Sequence, residues 1–156
     1  MTAHISGVHR LLIDAGWTPD RDIGSRADEM IQSSIADARR QGVELEELDT
    51  ASRFIHSYGD LELQLPGFGE SRLVLSPTAG YVGDVEDFAE LATSLNCPVF
   101  QVAYDTHEFG LWLVDARGRF FYHHHTGWYF LGHNEYEALA SAFGGGLLPD
   151  AEDYFV

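Results

Sequence analysis

The sequence predicts an α+β fold: N-terminal helices, a curved, mostly antiparallel sheet with one inserted helix, and a closing C-terminal helix. Three observations carry this reading. Up to Gly59 the apolar residues recur at helical spacing. From Leu61 the period drops to two, as Leu61, Leu63 and Leu65 alternate with Glu62 and Gln64. Beyond that point a helical pattern returns only over residues 84–95 and after Asn134. Helices and strands are therefore partly segregated along the chain, which argues against a doubly wound α/β sheet.

The elements follow in order. Residues 6–15 predict a short helix with Ser6 as N-cap, apolar positions Val8, Leu11, Leu12 and Ala15, and Gly16 as the stop. Trp17-Thr18-Pro19 reads as an extended turn. Residues 25–41 predict a second helix through Ala27, Met30, Ile31, Ile35 and Ala38. Arg39 and Arg40 suit its last turn, and Gly42 its C-terminal glycine. Residues 45–58 predict a third, ended by Gly59.

A strand over 61–65 precedes the turn Pro66-Gly67-Phe68-Gly69, and a second strand runs from Arg72 to Ser76. Residues 84–95 predict the inserted helix, with Asp84 as N-cap. Val99–Tyr104 is a strand. Leu111–Val114 and Phe120–His124 form a hairpin whose link, Asp115-Ala116-Arg117-Gly118, suits a type I turn with a left-handed glycine. Trp128–Leu131 is a further strand. Asn134 and Glu137 have the spacing of a capping box, opening a last helix to Phe143 that Gly144-Gly145-Gly146 ends. The acidic tail from Pro149 to Val156 reads as frayed.

A length of 156 residues fits one domain over 1–156, with its core at about 6–146. Hydrophobic residues make up 45%, ample for a core, so the acidity does not imply disorder. The single cysteine, Cys97, cannot form an internal disulfide, which suits a reducing compartment. The start Met1-Thr2-Ala3-His4-Ile5 has no basic segment followed by an apolar run, and no stretch approaches a membrane span. The expectation is a cytoplasmic protein.

The charge is more informative. Nine arginines, no lysine and 25 acids give a formal net charge of -16. This excludes a nucleic-acid backbone and an anionic membrane as partners, since both require cations. Between Arg72 and Arg117 there is no cation at all. The same stretch carries Asp84, Glu86, Asp87, Glu90, Asp105 and Glu108, the residues expected to form a docking surface for a basic protein. The plainer alternative is a helix N-terminus complemented by acids, followed by solvated faces.

Catalytic patterns are missing. There is no P-loop, no dinucleotide glycine fingerprint and no nucleophile elbow. Cys97 sits beside neither a cation nor a helix N-terminus, so it reads as a core thiol. No catalytic, cofactor or metal residue is assigned. The exception to weigh is His123-His124-His125. On a strand His123 and His125 share a face and could ligate a metal, giving a metal-binding module or metal-dependent enzyme as the alternative. The cupin pattern requires a glutamate where Tyr129 and Phe130 stand.

Several phrases, in this order, carry a family resemblance. They are Ala15-Gly16-Trp17-Thr18-Pro19-Asp20-Arg21, then Arg53-Phe54-Ile55-His56-Ser57-Tyr58-Gly59-Asp60-Leu61, Leu75-Ser76-Pro77, Phe88-Ala89-Glu90 and Pro98-Val99-Phe100. The hairpin from Leu111 to Tyr122 and the helix around Tyr136 to Phe143 complete them. Over about residues 8–145 the chain resembles the third family of the SUKH superfamily, immunity proteins of bacterial polymorphic toxin systems. The resemblance implies a curved sheet flanked by helices. It also implies a non-enzymatic protein that binds and neutralises a toxin domain, often a nuclease or another nucleic-acid-modifying enzyme. It transfers no site residues. Where the family often shows two glycines this chain has Gly59-Asp60, and aspartate tolerates the left-handed conformation.

Overall fold

The computed structural model describes residues 2–65, 69–78, 84–144 and 148–156. Helix α1 spans Thr2–Asp14 and buries Val8 and Leu12. It starts before the predicted Ser6, because Ala3-His4-Ile5 contains no residue that stops a helix, so Ser6 is interior rather than a cap. Helix α2, Ser25–Arg40, buries Ala27, Met30, Ile31 and Ala38. Its end is a Schellman turn. Val43 N–H donates to Ala38 O at 2.9 Å and Gly42 N–H to Arg39 O at 3.0 Å, with Gly42 at φ 85°. Helix α3, Asp49–Tyr58, begins four residues later than predicted. Leu48 is extended at its N-cap and buried, so core packing and not helical period places that segment.

The sheet has six strands: β1 Glu62–Gln64, β2 Arg72–Val74, β3 Val99–Asp105, β4 Leu111–Asp115, β5 Phe120–His124 and β6 Gly127–Gly132. They lie in chain order, every neighbouring pair is antiparallel, and the sheet does not close. Helix α4, Asp84–Leu95, is inserted between β2 and β3, and α5, Glu135–Gly144, closes the main fold. The predicted α+β class holds, with all rather than most of the pairs antiparallel. The predicted turn at Pro66-Gly67-Phe68 and the glycines 145 and 146 lie outside the described residues.

Both faces of the sheet are covered. On one, Leu63, Leu73, Phe100, Trp112, Val114 and Leu131 pack with residues of α1, α2, α3 and α5. On the other, Leu111, Leu113, Phe121 and Phe130 pack with Val85, Phe88, Leu91 and Leu95 of α4. Strand β4 is buried along its whole length. Its exit is held by Asp115, fully buried, which accepts N–H bonds from Arg117 and Arg119 at 2.9 Å and pairs with Arg119 Nε at 2.6 Å. Gly118 takes φ 88° in that turn, as predicted.

The C-terminal tail is not frayed. Residues Ala151–Tyr154 form a 3-10 turn, α6, on the α4 side of the sheet. Ala151 is fully buried, Tyr154 stacks on Phe130 with ring centroids 4.0 Å apart, and Phe130 N–H donates to Pro149 O at 2.8 Å. The segment's acids face outward, while one alanine and one tyrosine dock it.

A polar junction fastens α3 to the loop before α2. Arg21 donates to Ser57 O and Gly59 O at 2.8 and 2.7 Å, satisfying carbonyls at the end of α3. Trp17 Nε1 donates to Ser57 Oγ at 3.1 Å, and its ring stacks on Tyr58. His56 bridges two acids, with Nδ1 2.6 Å from Asp22 and Nε2 3.0 Å from Asp28. The bond to Asp22 is the main cause raising the His56 pKa, with Asp28 adding to it, and the same bond lowers that of Asp22.

The sign of the pH dependence follows. A raised histidine contributes stability below its unfolded pKa of about 6.5 and loses it as pH rises through the higher folded value. A lowered aspartate contributes above its unfolded pKa and loses it as pH falls through the lower folded value. The stability gap between the native protein and His56→Gln, read from urea midpoints, should therefore be widest at about pH 5–6 and shrink toward about pH 9. A gap independent of pH would refute the bridge.

Candidate functional site: the acidic rim and the histidine strand

The cation-free stretch folds into α4, β3 and the turn joining β3 to β4. At the start of α4, Asp84, Glu86 and Asp87 complement the helix N-terminus. Val85, Phe88 and Leu91 turn toward the sheet, so Glu86 and Glu90, spaced i and i+4, share the exposed side. Asp84 and Asp87 are half-buried against the sheet margin, and Glu108 is exposed.

The end of β5 runs between these acids. His123 faces α4, where its Nε2 lies 3.4 Å from Asp87 Oδ2, its ring meets Phe88 edge-on and Trp128 lies against it at 4.2 Å. Burial is the main influence on His123 and holds its pKa below the usual value, against the pull of Asp87 and Asp84. His124 points to the opposite face. Its Nδ1 accepts the Thr126 N–H at 3.3 Å, and its Nε2 lies 3.0 Å from Glu108 Oε2 without hydrogen-bond alignment. The acids and the histidines, unrelated in the sequence, thus meet at one end of the sheet.

This overturns the predicted His123 and His125 pair. The strand ends at His124, and His125 is exposed beyond it with its ring against His124 at 3.9 Å. Instead His123 groups with Asp84 and Asp87, whose ligand atoms all lie within 4.8 Å of one another. These three could hold a divalent ion by donor type. The positive end of α4 already compensates the two carboxylates, and the contact to His123 accounts for the grouping without an ion.

Asp105 is a second correction. It is only 7% exposed, so it belongs to the framework and not to a docking surface. Its Oδ1 accepts N–H bonds from Glu108 at 2.7 Å and Phe109 at 3.2 Å. Its Oδ2 accepts the Tyr122 hydroxyl at 2.5 Å. Burial, and then the Asp105 carboxylate, raise the Tyr122 pKa, so the phenol stays a donor. The bonds are spent on shaping the β3–β4 turn. In that turn Phe109 takes φ 59° and is 55% exposed. Sequence reading missed Phe109, because an isolated aromatic in a turn carries no periodic signal. The turn also borders a cavity of about 290 Å³ walled by Leu65, Leu73, Trp112, Tyr122 and Leu131, with Glu108 at its margin.

Cys97 is buried behind α4, as expected of a core thiol. No helix among the described residues is long and apolar enough to cross a membrane.

Two substitutions separate framework from surface. Asp105→Ala strands two turn amides and a buried hydroxyl, so an unfolding free energy lower by about 2–3 kcal/mol is expected. Glu86→Ala should stay within about 0.5 kcal/mol of the native chain. Equal effects in denaturant titrations would contradict this division.

Comparison with known proteins gives a consistent result at family level. No curated protein and no solved structure matches the chain. The SUKH-3 immunity protein family matches residues 6–145, which include all six strands, α2 to α5 and the acidic rim. By that match the chain belongs to the SUKH-3 immunity protein family.

Proposed function

We propose that this protein, a single domain over residues 1–156, acts in the cytoplasm by binding and neutralising the toxin domain of a polymorphic toxin system. It does so without catalysis, metal or cofactor. Family membership supports the immunity role. The observation that carries the finer reading is the acidic rim: Asp84, Glu86, Asp87, Glu90 and Glu108 on α4 and one turn, within a stretch holding no arginine or lysine.

A toxin that acts on nucleic acid needs a basic face to hold its substrate's phosphates. An acidic rim of matching extent occupies that face and excludes the substrate by charge as well as bulk. The preferred partner is therefore a nuclease or another nucleic-acid-modifying domain with a basic surface. Such pairing speeds association at low salt and slows as salt rises.

The test is co-purification with the toxin domain encoded beside this gene, together with rescue of growth when the toxin is expressed. Replacing the exposed rim acids Glu86, Glu90 and Glu108 by lysine should abolish rescue and lower affinity at least a hundredfold at low salt, with circular dichroism unchanged. Unaltered rescue by the folded variant would remove the acidic rim from the interface.

A further inference from the structure

Phe109 combines a costly backbone conformation with exposure. A bulky residue at φ 59° occupies a region that glycine fills without penalty. Its side chain lies outside both core clusters and is 55% exposed. The only other large hydrophobics so exposed among the described residues are Ile13, at the end of α1, and the terminal Val156.

The surroundings are built to hold this turn. Asp105, buried, fixes the Glu108 and Phe109 amides with one carboxylate oxygen and the Tyr122 hydroxyl with the other. Gly110 follows, and a Cβ there would sit 2.0 Å from the Tyr122 hydroxyl oxygen. The turn's base is tied to β2, where Arg72 N–H donates to Thr106 Oγ1 at 2.8 Å and Thr106 N–H to Arg72 O at 2.9 Å. Four residues, Asp105, Gly110, Tyr122 and Thr106, thus hold rigid a loop tip whose product is an aromatic ring in solvent. Beside it stands the exposed carboxylate of Glu108.

Backbone strain kept in place by buried hydrogen bonds is characteristic of functional positions. A preorganised aromatic flanked by charge is the usual composition of an interface anchor. We infer that Phe109 is the apolar anchor of the toxin interface, inserting into an apolar pocket of the basic partner while Glu108 meets a cation at that pocket's rim. This rests on the immunity reading above. It adds a contact that charge complementarity does not supply.

The test uses the full chain and the toxin domain encoded beside its gene, with affinity and dissociation rate measured at low and high salt. Phe109→Gly should keep or raise the thermal midpoint, because glycine relieves the left-handed strain. It should also weaken binding at least tenfold, through faster dissociation and to the same extent at both salt concentrations. Native affinity in Phe109→Gly overturns the anchor and leaves the immunity reading intact. A large drop in its midpoint also overturns the anchor, since Phe109 would then be structural. Failure of the native chain to bind the toxin overturns the immunity reading and the anchor with it.

Discussion

The structure depends on burying β4 on both of its faces. A strand with Leu111, Trp112, Leu113, Val114 and Asp115 all out of water cannot sit in a sheet with one solvated side. Most antiparallel sheets leave one face wet, so this one needs a second layer. The N-terminal helices and α5 form one cover. The other consists of α4 and the docked C-terminus. This explains why a helix interrupts the meander between β2 and β3. It also explains why the last eight residues, acidic as they are, do not leave the surface. With both faces covered, the buried carboxylates Asp105 and Asp115 stand at strand ends. The rim where β5 meets α4 and the β3–β4 turn is such an end.

The two longest phrases that suggested the family are far apart in sequence and adjacent in space. Trp17 and Arg21 from the first meet Ser57, Tyr58 and Gly59 from the second. Their content is the chemistry of one junction: a guanidinium on exposed helix carbonyls, an indole stacked on a phenol, and an imidazole between two carboxylates. Gly59 has no room for a side chain, since a Cβ would lie 2.4 Å from Ile55 O. Asp60 at φ 66° then turns the chain into β1. The resemblance therefore tracks a physical requirement, the passage from helix to sheet, and not a catalytic one.

Most elements were legible because their signals are local. Leu61, Leu63 and Leu65 spell a strand by alternation, and Ala27, Met30 and Ile31 a helix by period. Asn134 and Glu137 make their cap as spacing predicts, with Glu137 N–H donating to Asn134 Oδ1 at 2.9 Å. What was illegible depends on partners distant in sequence. The burial of Asp105 is set by Tyr122, seventeen positions on. Tyr154 docks only because Phe130 and Phe121 leave a surface for it. The split of His123 from His125 follows from where β5 stops, and the pairing of His123 with Asp87 crosses from strand to helix. Charge counting located the acidic stretch but could not separate its framework carboxylate from its exposed ones.

Val156 N–H donates to Ser94 O at 2.9 Å, tying the last residue to the far turn of α4. Anything fused through a short linker at this end starts within reach of the acidic helix. A tethered toxin fragment would meet it at millimolar effective concentration, and a bulky or basic purification tag would compete for the same surface. Attachment at the C-terminus is thus a means of capturing a weak complex, and a source of artefact when the free protein is assayed.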